Sequence, residues 1–321
     1  LGLALLVSSP AAAHDLQEYL LPGLGLTLNE TTDGRLVVGL GLQGVAWLEP
    51  PSGTGTVARL HLEPSILTLG TLEVEGGEVL LAGRDARLRL VRFETEGDCR
   101  LVTVWETSAE GIPTGLARRG DLLAVSGGGA GISLWRWPET QQPPELVGRF
   151  PFASYTKQAA FFDDTTLLVA DSHTAGLWVL DVSDPRRPYR REHLKGMSFV
   201  DAADVQGELA AYTDRAFGTW FVRRAADPTK PFELAHRVFM VPAPSEGDFV
   251  QNVRFQNGDA VIVESFGGVR RFVRTDSGEW RQRERHAAQE GVVDALITRA
   301  GRVAYTTRDK RLKVLTPPAP K

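Results

Sequence analysis

The chain has 321 residues, 42% of them hydrophobic and 24% charged, with a formal net charge of −4. This is ordinary globular composition with apolar material for a sizeable core, which excludes a disordered chain. Lys and Arg are interspersed with acids and form no run, so the clustered cationic surface that a nucleic-acid partner needs is missing.

The first element is a short apolar run, Leu1–Val7, which leads through Ser8-Ser9-Pro10 to Ala11-Ala12-Ala13. That order matches the end of a signal-peptide apolar region followed by an A-x-A cleavage site. Residues 1–13 are therefore expected to be a signal-peptide remnant, with His14 first in a mature protein of the periplasm or the extracellular space. No cysteine follows the cleavage site to carry a lipid anchor. No later stretch reaches the roughly 20 apolar residues of a spanning helix. The expectation is one domain over 14–316, a flexible Pro-rich tail over 317–321, and a monomer.

Helical spacing is absent, and short apolar runs bounded by Gly, Asp, Asn and Pro recur instead. A turn residue, one variable residue and a β-rich run begin at Gly34, Gly77, Gly120, Thr165, Gly207, Gly258 and Gly301. Their spacings are 43, 43, 45, 42, 51 and 43 residues. In the fourth copy Asp163-Asp164-Thr165 replaces the turn glycine. A second run follows each first one, beginning at Gly44, Ala86, Gly131, Gly176, Gly218, Gly268 and Lys310. Two markers with one period predict an all-β fold, a seven-bladed β-propeller of four-stranded antiparallel blades. The sixth repeat is the long one, with extra residues over Val238–Asp248. The last repeat stops after its third strand. The segment Leu16–Pro22 resembles an outer strand such as Pro144–Phe150, so the N-terminal strand is expected to complete the seventh blade.

Trp47, Trp135, Trp178 and Trp220 fall in the second runs, where one large flat side chain per repeat fills the wedge between blades. The fourth repeat reads Gly176-Leu-Trp-Val-Leu-Asp-Val-Ser-Asp-Pro-Arg-Arg-Pro188, and Asp227-Pro228 echoes its Asp-Pro turn. This segment resembles the LVIVD repeat of secreted bacterial and archaeal propeller proteins. The resemblance implies the fold and export, and it does not imply an activity.

Propellers bind ligands at the central channel and at the loops of one face. Counting back from each turn residue nominates Thr114, Lys157, Asp201, Gln251 and Asp294 for the channel, with Asp204 and Asn252 within the uncertainty of register. Turns between second and third strands nominate Asp171, His173, Asp214, Arg215, Glu264 and Arg308 for the loop face. The six histidines lack paired metal-ligand spacing, so no metal site is assigned. No cofactor is expected, and the oxygen-rich channel would suit calcium if any ion. The single cysteine, Cys99, excludes a disulfide framework and a zinc cluster built on cysteines. With no His or acid aligned to it, it reads as a small buried hydrophobe.

Gly39-Leu-Gly41-Leu-Gln-Gly44 has the spacing of a dinucleotide loop, and Ser126–Ala130 is glycine-rich. Each opens a strand and not a helix, so both read as hairpin loops. The reading is an exported, non-enzymatic binding or scaffold module for a protein or saccharide partner. The alternative is a metal-dependent, lactonase-like hydrolase that uses the channel carboxylates. A quinone-dependent dehydrogenase is weaker still, for lack of a repeated tryptophan-docking signature.

Overall fold

The computed structural model describes residues 15–49, 58–94, 99–151, 155–173, 175–227, 230–240, 249–286 and 289–316. The expected signal segment, the C-terminal tail and most of the long sixth-repeat entry lie outside these residues. The described chain forms seven four-stranded antiparallel sheets, and six of them are consecutive meanders. The seventh is composite. Val292–Ile297, Val303–Thr307 and Arg311–Thr316 supply its inner three strands, and Asp15–Leu20 its outer strand. The register runs from Asp15 opposite Thr316 to Leu20 opposite Arg311. The fold is a seven-bladed β-propeller closed by its N-terminal strand.

The period seen in the sequence has a conformational cause. Each second marker sits where a hairpin needs a left-handed residue. Gly218 has φ of 131°, and a Cβ there would lie 2.0 Å from the Val238 carbonyl oxygen. The two non-glycine markers, Ala86 and Lys310, hold φ of 59° and 64° in the same region. In the fourth repeat the turn without glycine is closed by Asp163, whose carboxylate accepts from the Thr165 amide at 2.9 Å.

The core is a set of wedges between blades. Second strands such as Val79–Gly83 and Leu209–Asp214 are buried at every residue, because each lies between two neighbouring sheets. One wedge packs Leu168, Ala170 and Val179 of blade 4 on Ala203, Ala210 and Tyr212 of blade 5. The closing wedge packs Leu21 with Leu36 of blade 1 and with Leu312 and Val314 of blade 7. Trp47 and Trp135 are buried in such wedges. Trp178 and Trp220 are half-buried: one stacks on His193, the other on Tyr212.

Candidate functional site at the channel mouth

Within a blade the chain descends the innermost strand, returns on the second, and descends again on the third. Turns between second and third strands, and crossings to the next blade, therefore share one face, called here the upper face. A channel cavity of about 550 Å³ is lined by residues of all seven blades and by the upper-face residues Arg84, Ile112 and Tyr155. Thr114, Lys157, Asp201, Asp204, Gln251, Asn252 and Asp294 all lie on its wall.

Most of these side chains are committed to the ring. An innermost strand has a ladder partner on one side only, so its other backbone groups need side-chain partners. Asp294 accepts from the Leu28 amide of blade 1 at 2.7 Å, from Asn252 of blade 6 at 2.6 Å, and from Arg254 at 2.5 Å. Asp204 of blade 5 accepts from the Phe255 amide of blade 6 at 2.6 Å. Gln251 donates to the Val292 carbonyl at 2.6 Å and Thr114 to the Thr156 carbonyl at 3.0 Å, in each case one blade onward. Arg254 also donates to the Leu28 carbonyl at 2.7 Å. The count from the turns did not nominate Arg254, although it neutralises this wall.

Asp201 differs. Its side chain is 2% exposed, and Lys157 Nζ and Arg215 Nε approach its two oxygens at 3.3 and 3.7 Å. Its Oδ2 is shielded from solvent and accepts no hydrogen bond. The Asn252 Oδ1 on the same wall is in the same state.

Calcium requires six to eight oxygens around one point. Here the Asp204 and Asp294 oxygens face N–H donors, and Lys157 and Arg254 bring positive charge to the wall. The residues present do not fit that ion. The hydrolase alternative needs three or four ligands converging in the channel. Among the described residues the one group of three His, Cys, Asp or Glu side chains within reach of each other lies elsewhere, on the outer flank.

Three of the six loop-face candidates are buried. Asp171, Asp214 and Glu264 are 1%, 0% and 0% exposed. They do not point outward from the turns but close them from beneath. Asp171 accepts from the His173 amide at 3.0 Å and from Trp178 Nε1 at 3.3 Å. Asp214 accepts from Ser198 at 2.5 Å, and Glu264 pairs with buried Arg270 at 2.7 Å. Arg215 turns toward Asp201. His173 is exposed, edge-on to Tyr155, and Arg308 lies over the rings of Phe249 and Phe266.

The upper face presents large apolar side chains beside exposed charged ones such as Arg84, Arg308 and Lys310. Leu42, Ile112, Tyr155, Phe199, Phe217 and Phe239 are all exposed, and each lies in an upper-face turn or crossing. Arg237 lies 4.4, 4.5 and 5.9 Å from the ring centroids of Trp220, Phe239 and Phe217. The lower mouth differs. There a cavity of about 210 Å³ is crossed by Arg299, whose amide donates to Glu30 at 2.7 Å and whose guanidinium pairs with Glu73 at 2.5 Å.

Burial pushes the Asp204 carboxyl up to about 6 from an ordinary 3.8, against the lowering effect of the Phe255 and Val205 amides. For an acid whose folded pKa is raised, stability declines as pH rises from about 4 to about 6 and the group ionises inside the protein. Relative to wild type, Asp204→Asn should gain about 2 kcal/mol between pH 4 and pH 7.5. Urea unfolding at both pH values checks this, and an Asn-minus-Asp difference that does not change with pH contradicts it.

No family model matches the chain, and no curated protein matches it. Solved structures do. A chain of "Crystal Structure of Mitotic Checkpoint Complex" aligns with TM-score 0.71 at 12% identity, covering 98% of both chains. A second match, "Crystal structure of WD40 beta propeller domain of Doa1", has TM-score 0.67 at 13% identity and covers 94% of this chain and 98% of that one. At such identities the likeness is one of fold, and it places this chain among seven-bladed propellers.

Proposed function

We propose that the chain is an exported, non-enzymatic propeller that binds a protein partner on its upper face. The observation that carries this reading is the exposure of Ile112, Tyr155, Phe199, Phe217 and Phe239 in upper-face turns and crossings, with Ile112 and Tyr155 at the channel wall. Aromatic and Arg side chains are the groups enriched at protein interfaces, and Arg237, layered with three rings, is held ready by its own neighbours. Most of the channel's polar groups are spent on joining blades, which leaves few to meet a saccharide's hydroxyls. The propeller fold, which commonly serves as a binding or scaffold module, supports the same reading. Export rests on the Leu1–Ala13 pattern and on the resemblance to LVIVD repeats. Among the described residues no helix is long and apolar enough to cross a membrane.

The test is photo-crosslinking in cell-envelope fractions, with a photoreactive residue at position 217 or, on the lower face, at position 75. The proposal predicts a discrete protein adduct from 217 and none from 75. Equal labelling from both, or loss of the 217 adduct on addition of a soluble saccharide alone, overturns it.

A further inference from the structure

We propose that Glu49, His61 and Cys99 form a zinc site on the outer flank, between blades 1 and 2. Glu49 directly follows the third strand of blade 1, Val45–Leu48, and His61 lies on the adjoining outer strand, Leu60–Glu63. Cys99 directly precedes the outer strand of blade 2, Arg100–Ser108. Sequence spacing pairs Cys99 with no ligand, because these residues meet only once two blades are packed side by side.

One ligand atom from each lies within 4.8 Å of the others, and Glu49 Oε2 is 3.4 Å from His61 Nε2. Ligands at about 2.0 to 2.3 Å around a tetrahedral ion stand roughly 3.3 to 3.8 Å apart, so small side-chain rotations complete the geometry. The donors are held in place. The His61 ring stacks on Trp47 at 5.2 Å and 6°, and its side chain is 10% exposed. His61 Nε2 is shielded from solvent and faces Glu49 Oε2. Trp47 Nε1 donates to Cys99 Sγ at 3.3 Å, the kind of second hydrogen bond that orients a ligating sulfur.

The donor set selects the ion. One sulfur, one imidazole nitrogen and one carboxylate suit a borderline divalent metal and not calcium or magnesium. A thiolate and a carboxylate together cancel the ion's two positive charges, so the loaded half-buried site is neutral, and binding releases the Cys99 proton to solvent. Three protein ligands leave the fourth position to water. Without an ion, burial raises the Cys99 thiol above its ordinary value, and nearby Glu49 adds to that rise.

Chelator-treated protein should be titrated calorimetrically with Zn²⁺ and, in parallel, with Co²⁺ while absorbance is followed. The expected result is one ion per chain, with a thiolate-to-cobalt charge-transfer band. Cys99→Ser should abolish the band, and both Cys99→Ser and His61→Gln should weaken zinc binding by about 100-fold or more. Saturating zinc should raise the thermal midpoint of wild type and not that of either variant. Failure of folded wild type to bind zinc, a cobalt complex with no thiolate band, or equal affinity in folded His61→Gln overturns the proposal. The cobalt spectrum of wild type decides even if Cys99→Ser does not fold.

Discussion

Deleting residues 14–22 lowers the thermal midpoint by about 10 °C or more, which differential scanning calorimetry would register directly. Asp15–Leu20 supplies the outer strand of the seventh blade, with six residues in register against Arg311–Thr316. Glu18 is tied to Arg311 at 2.6 Å and to Lys313 at 3.1 Å, and the Leu21 amide donates to the Lys310 carbonyl at 2.8 Å. Leu21 is 2% exposed, in the wedge between blades 7 and 1. Losing that burial alone costs about 1.5 to 3 kcal/mol. Each strand hydrogen bond lost adds about 0.5 to 1.5 kcal/mol. The sum is a large share of the roughly 5 to 15 kcal/mol that holds a domain folded. The deletion also exposes Arg311–Thr316 as an open edge, so the shortened protein should self-associate on warming. A deletion variant with an unchanged midpoint would refute closure by this strand.

Asp294→Ala should cost about 3 to 5 kcal/mol in urea unfolding, because it strips a buried carboxylate from its partners. Asp294 is 2% exposed and joins three blades: its own, blade 6 through Asn252 and Arg254, and blade 1 through the Leu28 amide. Without it the Arg254 guanidinium, itself largely buried, loses its carboxylate, and the Leu28 amide loses its acceptor. Lys157→Ala is the matched control. Its side chain is 45% exposed on the same wall, and its pairing with Asp201 at 3.3 Å should be worth less than about 1 kcal/mol. Equal costs for the two variants would mean that Asp294 is not a tie between blades.

The propeller was legible because its repeat is written in backbone constraints. The second marker falls on left-handed residues even where Ala86 and Lys310 replace glycine, so alignment found the turns without knowing their angles. Closure was legible because Leu16–Pro22 has the pattern of an outer strand and no strand of its own repeat to join. The channel wall was legible to within a register step, and Asp201 and Asp204 both reach it. Their roles were not. Whether an aspartate accepts a neighbouring blade's amide, as Asp204 does, or faces two cations, as Asp201 does, is decided by contacts between blades that no local pattern encodes. Asp171, Asp214 and Glu264 misled for a related reason. A polar residue at a strand end reads as exposed, yet here each folds beneath its turn to meet groups turned inward there. The meeting of Cys99 with Glu49 and His61 depends on the packing of two blades, which no local pattern encodes.

The central claim is that one face of the closed ring is the binding face. The most direct measurement is the affinity of the partner recovered by crosslinking for wild type, for a Phe217→Asp, Phe239→Asp double variant, and for Tyr189→Asp. Tyr189 is exposed at the lower end of an outer strand of blade 4, away from the upper face. The account predicts that the upper-face variant binds about 30-fold or more weaker, the loss of at least one hot-spot contact, and that Tyr189→Asp binds like wild type. Equal weakening by both substitutions, or loss of binding only in Tyr189→Asp, would contradict it.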